Sequence, residues 1–398
     1  MSIAPKLQGW WFHRQGLDGS LRGATPAAVL ERAGWARSVG GANPYLTLFA
    51  RARTSREAAD AAAARIAIHE LPSARGCTYV LPAADYAIGL KVGEDAAAAP
   101  MKVAAKLGVT EKEIEKLERA VLEALDGGEA MDPEDLRQAT GKASRNLGEE
   151  GKKKGVTTTL PLALGRLQAR GDIRRVPVNG RLDQQRYKYV RWKPSPLARY
   201  GQSLGEAFTE LARRYFRWVG PATLAEFQWF SALGVKASKE AVAPLGLVPA
   251  DGTDDRLLLP EDAEAWRQFE TPNEPCYALV SSLDSIAAAR RNLQSLLDDK
   301  DRRRGVIVDT DEKPVGGLSD LPSHAILDRG RVIGLWEYDA DKAHIAWGTF
   351  GAKKTKQLEA AVEEVGAFVR DQLGDARSFS LDSPKSRVKR VAAVRALK

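Results

Sequence analysis

The side chains that could carry chemistry are few and scattered. Four histidines, His13, His69, His324 and His344, show no HxxxH spacing, so no zinc-hydrolase ligand set is visible. Cys77 and Cys276 stand far apart and form neither a CxxC metal pair nor a disulfide framework. There is no GxxxxGK[ST] loop, no strand-anchored GxGxxG and no GxSxG elbow, which removes the ATPase, Rossmann and α/β-hydrolase readings. The acidic pairs Asp254-Asp255 and Asp298-Asp299 lie among Gly, Thr, Lys and Arg, as solvated turns do, rather than as a paired acid and base. Neither a metal nor a cofactor is expected.

What the chain does concentrate is positive charge. From Arg145 to Arg199 there are 14 basic and 4 acidic residues, a net of +10, whereas residues 201–300 carry a net of −5. The segment from Asp375 to Lys398 is basic again, with 7 Lys or Arg against 2 Asp. A dense positive segment releases counterions when it meets a polyphosphate, so nucleic acid is the leading partner class. A merely solvated basic surface is the alternative.

The elements that must position this charge can be read from periodicity. In GVTEKEIEKLERAVLEAL, Ile114, Leu117, Val121, Leu122 and Leu125 recur at helical spacing. Asp132-Pro133 opens a second helix. After a Lys152-Lys153-Lys154 loop, TTTLPLALGRLQARG reads as a third helix with Leu160, Leu164 and Leu167 on one face and Gly171 as its stop. DIRRVPV and QQRYKYVRW then read as a hairpin around NGRLD. Three helices and a two-stranded ribbon are the winged-helix order, in which the third helix can enter a major groove and the wing can lie on the backbone. Arg166, Arg170, Arg174, Arg175, Arg181, Arg186 and Lys188 would decorate that helix and wing.

A second copy follows, with LGEAFTELARRYFRWVG, PATLAEFQWFSALG and SKEAVAPLG as helices and GLVPADGTDDRLLLP as hairpin. Phe227, Trp229 and Phe230 on its second helix are read as packing rather than as base-stacking groups. The first hundred residues can be read as a third unit, with QGWWFHRQGL, TPAAVLERAGW and PYLTLFARARTS as helices and GCTYVL as a strand. From about residue 275, short β-like runs (CYALVSSL, RGVIVDT, HAILDRGRVIGLWEYD, AHIAWGTF) surround a helix at SIAAARRNLQSLLDD and precede another at KQLEAAVEEVGAFVRDQL. The expected fold is α+β: three tandem winged-helix units at 1–100, 101–195 and 196–274, and a C-terminal β-rich, barrel-like domain at 275–398 with a basic tail. With 398 residues and 44% hydrophobic composition, several domains can each bury a core. The N-terminus lacks the pattern of a signal peptide and no stretch of apolar residues is long enough to span a membrane, so a cytoplasmic, nucleoid-associated protein is expected.

Five segments in this order, HRQGL, RGCTYVLPAADY, VGPATLAEFQWFSALG, SSLDSIAAARRN and HAILDRGRVIGLWEYD, resemble the bacterial winged-helix DNA-binding family that includes the AlkZ-like DNA glycosylases. The resemblance implies a concave DNA-binding surface, removal of alkylated purines and unhooking of interstrand crosslinks. It places His13, Arg14 and Gln15 near the DNA-facing cleft. The active members carry a Gln-apolar-Gln or Gln-apolar-Asp motif, which the resemblance matches to Gly41, Ala42 and Asn43. Here the first amide is missing, and Tyr79 stands where many relatives have His.

A cationic alkylpurine departs readily, so neutral amides can suffice to hold water beside the anomeric carbon. Asn43 is therefore the candidate catalytic residue; an Asn-Pro turn ahead of a helix is the other reading of it. The expected DNA contacts are Arg14, Gln15, Arg166, Arg170, Arg174, Arg175, Arg181, Arg186 and Lys188, on double-stranded DNA, alkylated or distorted, bound by a monomer. A winged-helix transcriptional regulator or architectural protein without chemistry, and a protein-interaction module, are the alternatives.

Overall fold

The helices form where caps and apolar spacing place them. In the computed structural model, which describes residues 3–308 and 311–397, the Thr110 hydroxyl accepts from the amide of Glu113 and starts the helix Glu111–Ala124. That helix buries Ile114, Leu117 and Val121 together with one charged residue, Glu118. Asp132 and Asp135 close a capping box ahead of the helix Pro133–Thr140, and Leu160–Ala169 forms the last long helix of this region. Strands Ile173–Pro177 and Tyr187–Arg191 then pair antiparallel, and a bridge from Met131 to Tyr189 ties the ribbon to the second helix. Lys152 and Lys153, expected in a loop, instead end a short helix, Gly148–Lys153. Gly151 allows it: a Cβ there would lie 2.3 Å from the carbonyl oxygen of Val156, which folds back over the helix.

The next region repeats the order with less β-structure. Capping boxes at Ser203 and Thr223 open the helices Leu204–Val219 and Leu224–Ser231, and Val235–Val242 follows. The second helix stops earlier than expected, at Ala232 in the left-handed region, and Gly234 instead caps the third. The expected hairpin is reduced to two residue pairs, Val248 with Leu258 and Pro249 with Leu257.

The N-terminal region holds the helices Ala4–Arg14, Pro26–Ala33, Asn43–Ala52 and Arg56–Ala64 and a three-stranded antiparallel sheet. Strand Thr78–Pro82 lies in its middle, flanked by Ile68–Pro72 and by the two-residue strand Ala36–Arg37. In the C-terminal region four antiparallel strands run in the order His344–Thr349, Arg331–Asp339, His324–Asp328, Tyr277–Val280. The hairpin expected around Asp328 to Gly330 turns through Arg329 and Gly330, both at positive φ, which matches the right-handed twist of the strands. The expected helix at SIAAARRNLQSLLDD breaks after one turn, Ser285–Ala288, at left-handed Arg291, and Leu293 and Leu296 then drop into the core. The last two residues of the run RGVIVDT lie outside the described residues.

Neighbouring residues of the C-terminal sheet enter two cores, as the pleat requires, with the alternation shifted by one residue at Ile333, where a bulge lies opposite Ile326 and Leu327. Ile326, Ile333 and Trp336 pack with the helices Asn43–Ala52 and Lys356–Phe368, whereas Ala325, Leu327 and Leu335 pack with Trp10, Trp11 and Leu293. The N-terminal helices therefore share cores with the C-terminal sheet, and only the stretch around 101–189 gathers a core entirely its own. Among the described residues no helix is long and apolar enough to cross a membrane.

Candidate active site

A two-residue strand builds the site. Ala36–Arg37 pairs with Thr78–Pro82 so that Arg37 lies opposite Tyr79. Directly opposed residues share a face of the sheet, and the Arg37 guanidinium sits 5.4 Å from the centre of the Tyr79 ring. Trp35, just before the strand, meets Tyr79 at 6.0 Å and Trp218 at 5.3 Å between ring centres, and Phe230 lies 6.2 Å from Tyr79. These four rings wall a cavity of about 230 Å³ between the N-terminal region and the helices Leu204–Val219 and Leu224–Ser231. The rings are held by their polar ends: Trp35 Nε1 donates to Asp85 at 2.7 Å, Asp85 accepts from Arg214 at 2.8 Å, and Trp218 Nε1 donates to the carbonyl of Glu31 at 2.9 Å. Gly34 is required by this closeness, since its φ is +96° and a Cβ would meet the Trp218 ring at 3.2 Å.

Guanidinium groups edge the cavity. Arg75, held at a left-handed φ of 63° in the turn before the central strand, lies 3.0 Å from the centre of the Trp229 ring and donates to the Trp229 carbonyl at 3.3 Å. Arg291, also left-handed, lies over the same ring at 4.1 Å and holds Asp320 at 3.1 Å. Two non-glycine residues at positive φ on one indole is the kind of strain that clusters at functional sites. Burial works against the charge of Arg37, but hydrogen bonds with Cys77 and Tyr79 outweigh it and raise its pKa. Burial, helped by Cys77 and opposed by Arg37, pushes the Tyr79 phenol up to about 12, so it keeps its proton.

A buried polar network supports this wall. Arg51 and Asp284, both 0% exposed, form a two-pronged ion pair at 2.7 and 2.8 Å. Arg51 also donates to the Gln15 side chain at 2.8 Å, and Ser285, which lines the cavity, donates to Gln15 at 3.1 Å or to the carbonyl of Ala33 at 3.0 Å. Thr47 lies between Asp284 and Asn43, and the Asn43 amide donates to the carbonyl of Arg37 at 2.7 Å.

Asn43 is thus 1% exposed and outside the cavity lining, with its amide nitrogen committed to Arg37. Gly41 has no room for any side chain: a Cβ would lie 2.3 Å from the carbonyl oxygen of Ser378, because the segment after the helix Lys356–Phe368 returns across this loop. Ala42 accordingly donates to the carbonyl of Arg377, and Val39 accepts from Ser380. Tyr79 does line the cavity. Gln15 is fully buried, and Arg14 is held by Asp262 and by the carbonyl of Arg217.

The cations of the middle region divide among several partners. Arg166 binds Glu111 and Glu118, Arg170 binds Glu118 and Asp172, Arg175 binds Glu70, and Arg181 binds Asp183. Arg174 is half-buried near His69 and Tyr86, and burial lowers its pKa. Arg186 and Lys188 line an open groove of about 790 Å³ between the ribbon and the helices Pro133–Thr140 and Leu160–Ala169.

Arg37, Arg75 and Trp229 are the residues that reading the sequence missed. The sequence alone groups Trp229 with the packing aromatics, and that grouping holds for Phe227 and Phe230, which are buried. At 100° per residue Trp229 points away from the face those two share, and that phase is the signal that separates it. Arg37 stands on a strand too short to show any period. Among the described residues no three His, Cys, Asp or Glu side chains converge as a metal site.

A family model described as DNA glycosylase AlkZ-like matches residues 34–368. Among solved structures, Streptomyces sahachiroi DNA glycosylase AlkZ is similar to this chain with a TM-score of 0.70 at 19% sequence identity, over 95% of this chain and 98% of that one. No curated protein sequence matches the chain.

Proposed function

We propose, because this chain belongs to the AlkZ-like DNA glycosylase family, that its aromatic cavity receives a damaged base extruded from duplex DNA and that the protein hydrolyses the N-glycosidic bond of that base. A DNA-repair, glycosylase-like role and DNA as partner follow from the family. The cavity supports the finer reading. Its ring walls suit the flat faces of one heteroaromatic ring system, and base-flipping enzymes read an extruded base by stacking and by contacts to its edge.

In this reading residues 1–100, 101–195 and 196–274 act as three winged-helix units. The duplex backbone runs past Arg186 and Lys188, neither of which forms an ion pair among the described residues, in a groove that Asp132 and the Arg137-bound Glu134 also line, and continues past Arg174. Arg166, Arg170, Arg175 and Arg181 first hold their carboxylates, and Arg14 and Gln15 brace the site from behind. Asn43 acts as a positioning residue, fixing the carbonyl of Arg37. Nothing in this chemistry requires a metal, a cofactor or a second subunit, and the place of work is the nucleoid.

The carrying observation is the aromatic cavity, lined by five rings and edged by guanidinium groups. It is tested by incubating the protein with duplexes that each carry one lesion, 7-methylguanine, 1,N6-ethenoadenine or hypoxanthine, and measuring free base and abasic sites against buffer alone. Release of at least one base is expected, together with binding that weakens as salt rises. Salt-dependent binding with no release leaves a DNA-binding protein without chemistry, and absence of binding removes the reading altogether.

A further inference from the structure

The electrostatics of the cavity bear on which bases it can take, given the base-pocket reading above. Two guanidiniums, Arg37 and Arg75, line it together with one carboxylate, Asp320, which Arg291 already holds at 3.1 Å. Arg37 is half-buried and among the described residues has no carboxylate partner; it faces the ring of Tyr79 and the thiol of Cys77. Two of the five lining rings already face cations, Tyr79 facing Arg37 and Trp229 facing both Arg75 and Arg291, whereas Trp35, Trp218 and Phe230 face none among the described residues. A positively charged alkylpurine entering here would meet fixed charges of its own sign with no free carboxylate to offset them.

An uncharged base poses the opposite demand. It leaves poorly unless a proton or a positive group meets the electron pair it carries away. The β-register places a phenol and a guanidinium side by side on one wall, Tyr79 opposite Arg37, and the Asn43 amide fixes the backbone of the latter at 2.7 Å. We infer that this cavity selects uncharged damaged bases and that Tyr79 is the general acid for their release, with Arg37 stabilising the phenolate as it forms.

In the step, the C1′–N bond breaks and its electron pair goes to the base nitrogen, which takes the phenolic proton of Tyr79. Water adds to C1′ of the oxocarbenium sugar, and the proton it gives up restores Tyr79. The sum is nucleotide plus water giving an abasic site and a free neutral base. A cationic purine already carries its own electron sink and has no need of this acid.

Single-turnover release from the three lesion duplexes tests the inference with the full chain, its Tyr79→Phe variant, and Arg37→Lys beside Arg37→Met. Hypoxanthine or 1,N6-ethenoadenine is expected to leave at least about tenfold faster than 7-methylguanine after subtraction of spontaneous loss. Tyr79→Phe should slow neutral-base release on the order of a hundredfold, with duplex affinity unchanged. Arg37→Lys should retain much of the rate and Arg37→Met lose it, a split that a purely structural role does not produce. Thermal unfolding of each variant verifies that it is folded; where Tyr79→Phe does not fold, the Lys-against-Met split at position 37 decides. Faster release of 7-methylguanine than of either neutral base, or full neutral-base release by Tyr79→Phe, overturns the inference and leaves the proposed function standing. Release of no base from any duplex overturns both.

Discussion

Between Arg145 and Arg199 fourteen basic residues outnumber four acidic ones, whereas the aromatic cavity is lined by only two arginines. The ribbon region nevertheless spends much of its charge internally. Glu118 alone engages both Arg166 and Arg170, and carboxylates brought from other segments, Glu111 and Glu70, engage Arg166 and Arg175. At the cavity Arg37 meets a phenol and a thiol instead of a carboxylate, and the guanidiniums of Arg75 and Arg291 lie over an indole. A count of charges along a chain therefore measures potential only after neutralisation, and the sparse region can present the stronger unmatched charge to a ligand.

The sharpest way to break this contrast is to unpair a buried arginine behind the cavity. Asp284→Ala leaves Arg51 at 0% exposure without its carboxylate, and such a change costs about 3–5 kcal/mol. Urea unfolding should show it as a large drop in midpoint. Arg145→Met, which removes the more exposed pair with Glu113 from the middle region, should cost roughly 0–1 kcal/mol. Equal losses from the two variants contradict the division into structural and surface pairs.

His69 reports on the same contrast from inside. It lies on the strand beneath the ribbon, and burial first, then Arg174 and Arg175, lower its pKa to about 3. In the unfolded chain a histidine titrates near 6.5, so the folded state holds the neutral form. The stability this group contributes is complete above pH about 6.5 and declines by about 1.4 kcal/mol per pH unit as the pH falls toward 3. At pH 4.5 the loss from this residue is roughly 2–3 kcal/mol. The difference between wild type and His69→Gln across pH 7 to 4.5 isolates it from the carboxylates, and a pH-independent difference contradicts the assignment.

What the sequence revealed and what it hid divide along the same line. The capped helices at 111–124, 133–140 and 204–219 and the turn at Arg329-Gly330 are written in residues close together in the chain, and periodicity and cap chemistry recover them. The short break at Arg291 and the two-residue strand Ala36–Arg37 carry no period, so nothing local announces them. The site depends on still longer reach: Gly41 is small because Ser378 lies against it, and Arg37 matters because the sheet register sets it opposite Tyr79. The partners of the basic segment were hidden for the same reason, since Glu70, Glu111 and Glu118 belong to elements that only folding brings near.

The smallest expected effect is the most discriminating. If phosphate contact falls to Arg186 and Lys188, replacing both with Ala should lower the slope of log affinity against log salt by roughly 2, since each contact contributes about 0.9. Arg166→Ala should leave that slope nearly unchanged, because its charge is already spent on Glu111 and Glu118. Glu118→Gln works in the opposite direction: it frees Arg166 and Arg170 from a carboxylate only 5% exposed and should steepen the slope by up to about 1–2. Filter-binding titrations over a range of salt concentrations give all three slopes. A fall with Arg166→Ala equal to that from a groove residue, or no rise with Glu118→Gln, means that these ion pairs open when DNA arrives, and the apparent neutrality of the ribbon region is then a property of the free protein alone.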